Sequence, residues 1–200
     1  MSSLATTKAV TEIPTIDVVL VVARTATAAY ALDTASQIQV EPQIEEEDAV
    51  KLVVKGKLKA QKPAVSTITG NQITLTDNVF APELVKLLQG GTIKYWTSAD
   101  KTAEGTEPTE FGISSYTPPT VGSGEKGEVF TLDAYSAQYD ASGQIVQYEQ
   151  ITYPNCQGVP VAFGSEDGAF RAPEYTINSA PKKDEAPYSI KYVQALPALE

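Results

Sequence analysis

The chain has no histidine and a single cysteine, Cys156, among its 200 residues. The absence of histidine removes the most common general base and the most common metal ligand. One thiol cannot form a disulfide within the chain, and a zinc site built from Cys and His is excluded. A serine nucleophile would have no histidine base, and no G-x-S-x-G segment occurs.

Long apolar runs are also missing. The most apolar stretch, Val18–Ala23, has the length of a strand, so no membrane-spanning helix is predicted. The N-terminal residues lack a basic start followed by an apolar segment, and no secretory signal is predicted.

Basic residues are scarce relative to acidic ones. The chain has 15 Lys and Arg residues and 25 Asp and Glu residues, which gives a formal charge of −10. Such a surface repels nucleic-acid phosphates, and this argues against a DNA-binding role.

Strand signals dominate the first half of the chain. Residues 13–23 predict a buried strand, and residues 24–36 a loop or docking segment. From Gln37 polar and apolar residues alternate, with Pro42 indicating either an edge strand or two short pieces. Gly70-Asn71 has the composition of a hairpin turn, so residues 37–80 are predicted to form a β-meander with long arms.

One helix is predicted at residues 81–91, where Pro82 stands near the start and a glycine pair ends the segment. Residues 97–128 are rich in Gly, Pro, Ser and Thr and are predicted to be a loop or insertion. Further strands are expected at residues 129–139, 144–153, 159–163, 175–178 and 189–193, with a chain break at residues 154–158. Many short strands and one helix predict a mainly β fold, a small β-sandwich or barrel with a flanking helix.

A dense acidic run is followed by regularly spaced lysines: Glu45, Glu46, Glu47, Asp48, then Lys51, Lys55, Lys57 and Lys59. Contiguous acids in a strand point to alternate faces and do not converge on a calcium ion, so a solvated acidic rim is the default. A nucleic-acid site would need interleaved aromatic residues, and none lies between residues 45 and 79. We interpret the two runs as candidate inter-subunit contacts of opposite charge.

The sequences TDNVFAPELVKLLQGG (residues 76–91), ITYPNCQG (151–158) and DGAFRAPEYTI (167–177) resemble parts of the major tail tube proteins of long-tailed bacteriophages. Residues 76–91 are similar to the hairpin exit and helix of those proteins. Residues 151–158 and 167–177 are similar to the C-terminal part of the proteins from phages or phage-like particles of Gram-positive hosts.

The resemblance implies one tail-tube domain over residues 1–200. Its parts would be an N-terminal arm (residues 1–12), a long lumen-lining hairpin region that joins an inter-subunit barrel (37–80), a helix (81–91), a loop or insertion (97–128) and a C-terminal segment (175–200). Six subunits would close a ring, and rings would stack into a tube that conducts DNA.

The resemblance also implies the partners. They would be further copies of the chain, the tape measure protein and DNA transiently in the lumen, and the tail terminator and distal tail proteins. The chain would be assembled in the host cytoplasm and reside in the virion tail, with no cofactor, no metal, no membrane contact and no enzymatic activity.

Two other classes of function are weighed against this one. A secreted or surface β-sandwich binding module, of the adhesin or carbohydrate-binding type, would call for a signal segment and an exposed aromatic platform. A hydrolase using acidic residues would call for a distinct carboxylate pair, and no pair stands out among the 25 acids.

Overall fold

The computed structural model describes residues 14–96, 112–165, 167–168 and 171–198. The predicted N-terminal arm and residues 97–111 of the predicted loop therefore lie outside the described residues. The elements follow in the order β1 (Thr15–Arg24), β2 (Ala29–Leu32), β3 (Ala35–Glu47), β4 (Val50–Val54), β5 (Lys57–Lys62), β6 (Val65–Asp77), α1 (Pro82–Gln89), β7 (Thr92–Tyr95), β8 (Ile113–Thr117), β9 (Phe130–Tyr139), β10 (Ile145–Gly158), β11 (Glu174–Ser179) and β12 (Ser189–Val193).

The main sheet is antiparallel and has the order β2-β1-β9-β10-β11-β6-β3, with β12 added beside β10. Alternate residues of these strands meet in one apolar core, which the buried face of α1 completes. β1 and β3 contact each other although they lie near opposite ends of the strand order. The predicted mainly β, sandwich-like fold with one flanking helix is confirmed, and the sheet does not close into a barrel within the described residues.

The C-terminal residues cover the opposite face of the sheet. Leu20, Val22 and Tyr135 form a second buried cluster, against which Val193 and Leu196 pack. β12 pairs with the first half of β10, from Tyr148 to Thr152, and so holds this cover in place.

The helix is shorter than predicted and lies at residues 82–89. It ends where Gly90 adopts a positive φ of 83°, a conformation that glycine takes without steric cost. Leu84, Val85, Leu87 and Leu88 are all buried. Eight residues are too few for an isolated helix, so its stability comes from this packing.

Gly158 at the end of β10 lies directly against the helix. A Cβ there would approach Leu88 Cβ at 2.4 Å and Leu88 Cα at 2.5 Å. We expect Gly158→Ala to lower the free energy of unfolding by about 1–3 kcal/mol, the usual cost of overpacking. Gly164→Ala is the matched control, because a Cβ there meets nothing within 4 Å. Urea unfolding followed by circular dichroism measures both, and equal midpoints would contradict the close packing.

Residues 35–77 form one long hairpin, as the resemblance implies, and not the meander that the turn signals predicted. β3 pairs with β6 along their whole length, and β4 pairs with β5 beyond them. The predicted hairpin turn at Gly70-Asn71 is wrong, because both residues lie inside β6. Gly70 is required there for another reason: a Cβ would lie 2.5 Å from the carbonyl oxygen of Ser179.

Four further predictions differ from the structure. β2 lies within residues 24–36, and β8, which pairs with β7, lies within the predicted loop 97–128. A chain break was predicted at residues 154–158, but β10 continues to Gly158. Near Pro154 the partner of β10 changes from β12 to β11, and a register shift between Tyr153 and Cys156 in the β9–β10 pairing accommodates the proline. No strand forms at residues 159–163.

Candidate assembly surface

The distal half of the long hairpin leaves the body of the protein. Every residue from 41 to 69 is exposed, whereas Gly70, Asn71, Ile73 and Leu75 of β6 are buried. We call residues 43–69 the arm and residues 50–62 (β4, β5 and their turn) the tip. The arm is a hairpin, so about half of its residues lie on each side of the turn, and at about 3.3 Å per residue it extends at most about 45 Å.

The tip turns at Lys55-Gly56. Both residues have positive φ, 49° and 73°, as a two-residue type I′ hairpin loop requires. Glycine at the second position follows the usual preference, while lysine at the first departs from it. This departure is why no turn was predicted at Lys55-Gly56 from the sequence.

The structure places the predicted contact residues along the arm without bringing most of them together. Glu45, Glu46 and Glu47 end β3, Asp48 precedes β4, Lys51 lies in β4, Lys55 in the turn, and Lys57 and Lys59 in β5; all are exposed. One ion pair forms in this region, between Glu47 and Lys62 at 2.6 Å. Both partners are more than half exposed, so the pair contributes little stability.

Lys62 continues the lysine series, although the sequence analysis did not single it out. With it, the tip carries five lysines and no acidic residue. The whole chain carries −10, so the remainder carries −15. Within the described residues, Lys51, Lys55, Lys57 and Lys59 have no salt-bridge partner. The tip is therefore a positive projection from a negative protein.

Apolar side chains are also exposed on the tip. Five aliphatic residues have exposed fractions between 43% and 65%: Val50, Leu52, Val53, Val54 and Leu58. A two-stranded hairpin without packing partners is marginally stable in water. Exposed apolar groups gathered in one place mark a surface that contacts another molecule.

A buried charged cluster, also missed in the sequence analysis, lies where β1, β9 and β10 meet. Asp133 is fully buried and contacts the Arg24 guanidinium through Oδ2, an ion pair without hydrogen-bond geometry. Its Oδ1 accepts hydrogen bonds from Thr152 Oγ1 at 2.6 Å and from Gln150 Nε2 at 3.0 Å. The available signal was an aspartate that is the one charged residue of β9. The cluster links β1, β9 and β10 through Arg24, Asp133 and Thr152.

A cleft of about 800 Å³ runs along the outer edge of β2, and we call it the β2 cleft. Glu83 and Leu84 of α1 line one side, and Pro197 and Ala198 the other. Within the described residues β1 is the only strand paired with β2, so the opposite edge of β2 is free.

The rim of this cleft is acidic. Asp33 and Glu83 line it, and neither has a salt-bridge partner among the described residues. Burial raises the pKa of the Tyr30 hydroxyl, and the nearby charges of Glu128 and Glu83 raise it further. Arg24 also lines the cleft, but its charge is balanced by Asp133.

The single thiol is inaccessible. Cys156 is fully buried, and burial raises the pKa of its thiol to about 12. Because thiolates are the reactive form, this cysteine is expected to be inert in the folded protein. Among the residues that the structure describes, no group of three or more Cys, Asp or Glu could hold a metal ion. No helix in the described ranges is long and apolar enough to span a membrane.

Comparisons with known proteins add little. No protein-family model matches the sequence, and no curated protein matches it. Among solved structures, the fold is similar to a chain from the cryo-EM structure of the anti-feeding prophage (AFP) baseplate, 6-fold symmetrised. The two share 9% identity with a TM-score of 0.33, over 95% of this chain and 98% of the other. A likeness of this size carries no argument about fold or function.

Proposed function

We propose that this chain is the structural subunit of a phage tail tube, or of the equivalent tube in a phage-like particle. Subunits assemble into hexameric rings, the rings stack, and the lumen conducts DNA. The observation that carries the proposal is the exposed arm, whose unpaired lysines, aliphatic side chains and strand edges gain their partners on assembly. The resemblance of residues 76–91 and 151–158 to tail tube proteins supports the same function.

The two faces of β3 support a position at the lumen. Ile38 and Val40 pack against the core. The opposite face presents six exposed polar residues and no basic residue: Gln37, Gln39, Glu41, Gln43, Glu45 and Glu47. A solvent-exposed, negatively charged strand face repels DNA phosphates and suits a channel through which DNA slides. A ring also supplies neighbours for the outer edge of β3, which has no strand partner among the residues that the structure describes.

Charge reversal of the tip tests the proposal. The variant Lys51→Glu, Lys55→Glu, Lys57→Glu, Lys59→Glu is expected to lose ring and tube formation, because four unpaired positive charges become negative on a negative protein. Its circular dichroism and melting temperature should match those of the wild type, since all four side chains are exposed. Sedimentation velocity and negative-stain microscopy measure assembly.

The matched control makes the same change in net charge elsewhere: Lys94→Glu, Lys182→Glu, Lys183→Glu and Lys191→Glu, at four exposed positions outside the arm. It is expected to assemble. Normal assembly of the tip variant would contradict the role of the arm. Equal failure of both variants would assign the effect to net charge.

A further inference from the structure

Both the tip and the β2 cleft expose strand edges whose hydrogen-bonding groups lack a strand partner. β5 pairs only with β4 among the described residues, and β2 pairs only with β1. Exposed edges of this kind take up an additional strand from another chain. The two edges have opposite electrostatic character, since β5 carries Lys57, Lys59 and Lys62 and the cleft is lined by Asp33 and Glu83.

We infer that the tip of one copy docks in the β2 cleft of a second copy, with β5 added as a strand to the free edge of β2. The inference rests on the proposed function, and it identifies the surface of the second copy that binds the arm. β5 is chosen over β4 because it carries three of the five tip lysines, whereas β4 carries one.

The shape of the cleft fits a strand. Its lining residues stand on both sides of β2, from α1 on one side and from residues 197–198 on the other. A strand placed against β2 is then covered above and below. The volume of about 800 Å³ lies within the range of about 300–1,000 Å³ found for ordinary binding clefts.

The chemistry of the two surfaces is complementary as well. The aliphatic side chains of the tip meet Pro197 and Ala198, while its lysines meet Asp33 and Glu83, which have no salt-bridge partner among the described residues. Donor and acceptor surfaces are different patches of the same chain, so the contact is head-to-tail and permits either a closed ring or open stacking.

Site-specific cross-linking between two full-length variants tests this contact. Leu58→Cys marks β5, and Ala29→Cys marks the exposed side of β2. One variant carries an affinity tag so that the mixed dimer is resolved by mass, and a short bis-maleimide joins the thiols. Cys156 gives no background because it is buried. We expect at least about tenfold more mixed dimer than with Val121→Cys, a fully exposed position outside the cleft, because docking raises the effective concentration of the two thiols.

Charge variants provide the second part of the experiment. Lys57→Glu with Lys59→Glu in the Leu58→Cys chain should return the yield to the control level. Asp33→Lys with Glu83→Lys in the Ala29→Cys chain should restore it, since the pair of charges is exchanged. Circular dichroism checks that each variant is folded.

The outcomes separate this inference from the proposed function. If the wild type forms rings or tubes but Leu58→Cys and Ala29→Cys cross-link no better than the control, docking in the β2 cleft is wrong and the tube function stands. If cross-linking succeeds and responds to charge exchange but no ring or tube forms, the contact stands and the tube function is wrong. If neither occurs, both are wrong.

Discussion

A chain without the tip is expected to fold normally and to lose assembly altogether. Glu47 and Val65 are directly opposed at the end of the β3–β6 ladder. An Asn-Gly pair in place of residues 48–64 can therefore close the shortened hairpin as a two-residue turn. The replaced residues are all exposed, so the body keeps its core. The melting temperature should stay within a few degrees, because the one ion pair lost, Glu47–Lys62, is a surface pair.

Sedimentation velocity at increasing protein concentration measures the loss of assembly. A second variant keeps the tip length but replaces only Val53 and Leu58 by Thr, which removes apolar surface while retaining the strands and lysines. It should assemble more weakly than the wild type and more strongly than the shortened chain. Tubes formed by the shortened chain would show that the arm has no part in assembly.

Loss of Arg24 is expected to be the most destabilising single change outside the apolar core. In Arg24→Met the carboxylate of Asp133 stays fully buried without a countercharge. Breaking a buried ion pair in this way costs about 3–5 kcal/mol. We expect about 3 kcal/mol, because the Arg24 side chain is 46% exposed and water replaces part of the lost contact. Since domains are stable by only about 5–15 kcal/mol, such a loss is readily measured by urea unfolding.

A double substitution separates charge from packing. Asp133→Asn in the Arg24→Met background removes the buried charge while its amide oxygen can still accept the hydrogen bond from Thr152 Oγ1. This double variant should regain most of the lost stability. If it is no more stable than Arg24→Met alone, the uncompensated charge of Asp133 is not the cause.

The fold class followed from strand alternation and from one short helix with clear end signals. The predicted edge strand around Pro42 is present, since β3 ends the sheet order. The failures arose where tertiary contacts override local turn chemistry. Gly70 is a glycine because Ser179 approaches it, and Pro154 is tolerated because β10 changes partners beside it. Neither requirement can be seen in a local pattern.

The residue types of the candidate surface could be predicted from the sequence, but their arrangement in space could not. The acidic and basic runs were found from spacing, yet within the arm, all of which the structure describes, the only ion pair joins Glu47 to Lys62. Acidic and basic residues that are close in sequence do not meet, because β3 and the tip follow each other along the length of the arm. The Arg24–Asp133 pair joins residues more than 100 positions apart, and only the β1–β9 pairing brings them together.

The most direct test of the central claim is negative-stain microscopy of the purified, concentrated wild-type chain. The proposed function predicts sixfold rings or long tubes of uniform bore. Monodisperse monomers at every concentration would contradict a self-assembling tube subunit and favour a monomeric binding module.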